Sequence, residues 1–91
     1  MYSIIKGWIE RRRRLKRLYQ DDARLLVERD PATAYYDAQR AAARARFAGD
    51  GLSFRHWAKV AAEVARISHA PMDFEIVKTI VKEEEERARS G

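Results

Sequence analysis

Ninety-one residues make one domain at most, and the absence of cysteine leaves neither a disulfide nor a thiolate metal site to staple it. Hydrophobic content of 46% excludes wholesale disorder, and 4 Gly and 2 Pro among abundant Ala, Arg, Glu and Leu favour helix. The net charge of +5 sits in one segment: residues 1–20 carry Lys6, Arg11, Arg12, Arg13, Arg14, Lys16 and Arg17 against Glu10, giving +6, and the other 71 residues stand at −1.

The pattern predicts an all-α fold, a compact four-helix bundle or orthogonal helical array with a long first helix. That helix spans about Ser3 to Arg29. Met1, Ile4, Ile5, Trp8, Leu15, Tyr19, Ala23 and Leu26 recur on one stripe at helical spacing, flanked by Leu18 and Leu25. Arg12 falls within the stripe. Burying its guanidinium unpaired is unfavourable, so either it stacks on Trp8 or the packed part begins near Leu15. We therefore divide the chain into a basic amphipathic arm over residues 1–14, a helical domain over residues 15–82 and a polar, fraying end over residues 83–91.

The second helix is expected from Asp30 as N-cap and Pro31 as first helical residue through Ala48, with Tyr35, Ala38, Ala42 and Ala45 facing inward. Gly49, Asp50 and Gly51 supply a left-handed C-cap and a turn. Ser53 is the expected cap of a third helix, Phe54 to Ser68, and Pro71 breaks the chain after it. Asp73 caps a fourth helix, whose Glu83–Glu86 run reads as a solvated end. Phe54, Trp57, Val64, Tyr35, Leu26, Val77 and Ile80 form the expected core.

No catalytic machinery is legible. His56 and His69 have no second ligand at zinc spacing, and the acid pairs at Asp21–Asp22 and Glu83–Glu86 have no convergent partner. Gly49-Asp50-Gly51 lacks the wider pattern of a phosphate loop. These features predict no enzyme, no metal and no cofactor. No apolar run reaches the roughly 18–20 residues of a membrane span. A short apolar stretch before the charge reverses the order of a secretory signal, and poverty in serine separates it from an organellar transit peptide.

Two surfaces remain. Ile4, Ile5, Trp8 and Ile9 followed by Arg11, Arg12, Arg13, Arg14, Lys16 and Arg17 suit docking on an anionic membrane surface or an acidic protein. The same apolar arm would also serve a homodimer contact. Alternatively the arginine block neutralises nucleic-acid phosphates, with Arg55, His56, Lys59 and Arg66 on the second element of a helix-turn-helix-like pair over residues 32–68.

Over residues 8–67 the chain also resembles a loose group of short bacterial helical proteins of unknown function. The segments concerned are Ala34-Tyr35-Tyr36-Asp37-Ala38, Ala43-Arg44-Ala45-Arg46, Gly49-Asp50, His56-Trp57-Ala58-Lys59-Val60-Ala61 and Glu63-Val64-Ala65-Arg66. The resemblance implies a bacterial, cytoplasmic setting and brings no activity, cofactor or site residue. The arm adds the inner membrane leaflet as an expected place of attachment.

Overall fold

The computed structural model describes residues 2–91, with side chains from Ile4 onward, so Met1 of the expected stripe lies outside the described residues. Four helices follow in order: α1 (Tyr2–Arg29), α2 (Ala34–Phe47), α3 (Gly51–Ile67) and α4 (Phe74–Ser90), with no strand among the described residues. The all-α fold and long first helix are therefore as the periodicity predicts.

Local chemistry sets the breaks. The Asp30 carboxylate accepts from the Ala32 N–H at 3.0 Å, and its carbonyl accepts from Ala34 at 3.0 Å. This makes a separate turn over residues 31–33, so α2 starts after Thr33 and not at Pro31. α2 ends as expected in a left-handed glycine, Gly49 at φ +75°. Asp50 N–H reaches back to the Ala45 carbonyl at 2.9 Å and Gly49 N–H to that of Arg46 at 3.2 Å, satisfying two end carbonyls.

The cap of α3 differs from expectation. Asp50, not Ser53, takes the role, its carboxylate accepting from the Ser53 N–H at 3.1 Å, and the helix begins at Gly51. Asp73 does cap α4, accepting from Glu75 N–H at 2.9 Å.

α2 is the central helix. Its alanines line two faces, Ala34, Ala38 and Ala42 among them, and small side chains permit close approach. The three-residue turn folds α3 back along one face, burying Ala38 with Val60, Ala61 and Val64, and Ala23 of α1 closes this cluster. Among the described residues α4 packs on α2 alone. Tyr36 Oη accepts from the Asp73 N–H at 2.8 Å, and further along both helices Arg40 and Arg44 meet Glu84, so α2 and α4 run in the same sense.

Three expectations about packing need correction. Phe54, assigned to the core, is 38% exposed, because α4 lies across α2 and does not reach α3 to cover it. Leu15 is 52% exposed, so tight packing of α1 begins at Tyr19 and Ala23, a turn later than expected. Glu84, read as part of a solvated end, is only 2% exposed. Its carboxylate accepts from Arg40 Nη1 at 2.9 Å and Arg44 Nε at 2.8 Å. Trp57, Tyr35, Leu26 and Val77 are half-buried, while Val64 and Ile80 are buried as expected.

Candidate functional site

Twenty-eight residues of helix extend about 42 Å at 1.5 Å per residue, most of the molecule's 47 Å long axis. Only the second half of α1 has neighbours to pack on. Asp22 Oδ2 and His56 Nε2 lie 2.6 Å apart, and one turn back Lys59 Nζ stands 5.9 Å from the centre of the Tyr19 ring. Moving toward the start of α1 therefore means moving toward the end of α3, and beyond it α1 continues alone.

The consequence is plain in the exposures. Every residue from Ile4 to Leu18 is exposed. Ile4 is 74%, Ile5 57%, Trp8 56% and Ile9 39% exposed, so the apolar stripe of the arm has no cover among the described residues. Arg12 stacks on Trp8, its Cζ 4.7 Å from the ring centre, which resolves how a guanidinium sits in that stripe. At 100° per residue, Ile5, Trp8, Ile9, Arg12 and Lys16 share one side of α1, bordered by Arg13, with Arg14 and Arg17 turned away.

The residues proposed as a nucleic-acid face do not form a uniform row. Arg66 is hydrogen-bonded through Nε and Nη2 to Glu63, which holds the Glu63 carboxyl below the usual carboxylate range, with Lys16 contributing at longer range. His56 faces Asp22. Arg55 and Lys59 remain on the exposed side, and together with Leu15, Tyr19, Leu52 and His56 they line a shallow depression.

That depression is continuous with a groove of about 370 Å³ lined by Trp8, Ile9, Arg12, Arg13, Leu15, Lys16, Tyr19 and Lys59. The structure thus brings Lys59 to the arm, joining two surfaces that the sequence presents as separate. Leu52, 80% exposed, adds an apolar side chain from α3 that sequence reading overlooked. Its neighbours at helical spacing, Arg55, His56 and Lys59, are polar, so it gives no periodic signal by itself.

Among the described residues no group of three metal-ligating side chains converges, and no helix is long and apolar enough to cross a membrane. No family model, curated protein or solved structure matches the chain.

Proposed function

We propose that this chain is a non-catalytic binding protein that docks peripherally on an anionic membrane surface through the exposed first half of α1. The observation that supports this reading is the exposure of Ile4, Ile5, Trp8 and Ile9 on a helix bordered by cations. A helix lying in the bilayer interface needs an apolar side to sink among acyl chains and basic side chains at headgroup level. Burying each isoleucine contributes at most about 1.5–3 kcal/mol, and each cation near an anionic surface about 1 kcal/mol. Arg12 suits this setting because its stem lies along Trp8 while its charge stays at the interface.

Co-sedimentation of the full chain with anionic and zwitterionic vesicles tests the proposal. Binding is expected to the anionic vesicles only, to weaken with salt, and to fall sharply when Arg11, Arg12, Arg13 and Arg14 are replaced by Gln. Binding that ignores lipid charge or survives those replacements contradicts it. Retention by DNA with a steep salt dependence, and none by vesicles, would reassign the arginine block to nucleic acid.

A further inference from the structure

Four cations line the groove between α1 and α3: Arg12, Arg13 and Lys16 from α1 and Lys59 from α3. None of the four makes an ion pair among the described residues. On the α3 side, the carboxylates nearest Lys16 and Lys59 are already engaged, Glu63 by Arg66 and Asp22 by His56. Arg12 and Lys59 rest instead on aromatic faces, those of Trp8 and Tyr19. Like charges gathered in a concave, partly apolar site raise the local potential, and an anion lowers that energy.

We propose that this groove is a headgroup site for a lipid phosphomonoester, formed only where α1 passes α3. A monoester phosphate carries about −1.5 to −2 charges and three acceptor oxygens, which suits a groove lined by several donors. A phosphodiester headgroup bearing an ammonium matches them poorly, since the ammonium is repelled. The source is a membrane lipid because Trp8, Ile9 and Leu15 line the same groove: a water-soluble phosphate leaves those side chains in water, and an acyl chain covers them. This inference rests on the membrane-docking reading and adds a ligand class and a second helix to it.

The test compares vesicles containing phosphatidic acid with vesicles containing phosphatidylserine, adjusted to equal surface potential. The full chain is expected to prefer phosphatidic acid by about ten-fold, the loss associated with one charge-assisted hydrogen bond. Lys59→Gln removes that preference and Lys59→Arg keeps it. Arg14→Gln removes the same charge from the opposite side of α1, so it weakens binding to both vesicles about five-fold and leaves the ratio unchanged. Equal binding of the unaltered chain to both vesicles overturns the headgroup site and leaves membrane docking standing, as does a preference that survives Lys59→Gln or disappears with Arg14→Gln. Binding to neither vesicle overturns both.

Discussion

Glu84 shows how one side chain ties distant parts of this chain together. Arg44, then Arg40, draw its carboxyl from the usual 4.5 down to about 2, against the opposing effect of burial. A depressed pKa in the folded state means that the unfolded chain binds the proton first as pH falls. The pair's stabilisation is therefore full above about pH 4.5 and is lost toward about pH 2. Urea unfolding at neutral pH should show Glu84→Gln less stable by about 1–3 kcal/mol, the range for charged hydrogen bonds with partners that can rehydrate. The same variant should lose stability less steeply between pH 4.5 and 2 than the parent. Identical acid limbs would remove Glu84 from this role. Asp50 gives a second residue-level test: Asp50→Ala should cost about 1 kcal/mol in thermal or urea unfolding, and Ser53→Ala markedly less. The sequence reading assigns the cap to Ser53, and the observed bond from the Ser53 N–H to the Asp50 carboxylate moves it to Asp50.

At the level of elements, much was legible because the signals are local. Gly49 and Asp73 act where their neighbours say they should, and the four helices follow from periodicity and punctuation. What depends on contacts across the chain was not legible. The burial of Glu84 requires arginines about 40 positions away, and the exposure of Phe54 depends on which side of α2 the last helix takes. α2 makes this dependence acute, since it packs on both sides through alanine. Ala38, wholly buried between α1 and α3, has no room for a longer chain. Ala38→Leu should therefore destabilise by about 1–3 kcal/mol through overpacking, measured by urea unfolding. An unchanged midpoint would show that these helices sit further apart than described. For α1, the packed part starts at Tyr19, a turn after the expected Leu15, which stays exposed beside Leu52 and Lys59 of α3.

Over the whole molecule, a radius of gyration of 15.1 Å exceeds the roughly 12 Å of a spherical domain of this length, because α1 projects and the layer is only 18 Å thick. The largest wholly buried side chains are Val60 and Val64, so the fold rests on a thin core. α4, attached to α2 alone, should exchange its amide hydrogens through an opening of lower free energy than α2 and α3. Protection of α4 equal to that of α3 would contradict this arrangement. The thin body and long exposed arm give the docking proposal its geometry, a helix laid along a surface with Leu52 and Lys59 of α3 beside it. Because the chain has no cysteine, single cysteines at Ile5, Lys6, Ile9 and Glu10 can each carry a nitroxide label without interference. The decisive measurement is the accessibility of those labels to oxygen and to a water-soluble nickel chelate on anionic vesicles. Labels at positions 5 and 9 should be shielded from the chelate and open to oxygen, and those at 6 and 10 the reverse, following the period of the helix. Four labels equally open to the chelate would show that α1 does not lie in the membrane.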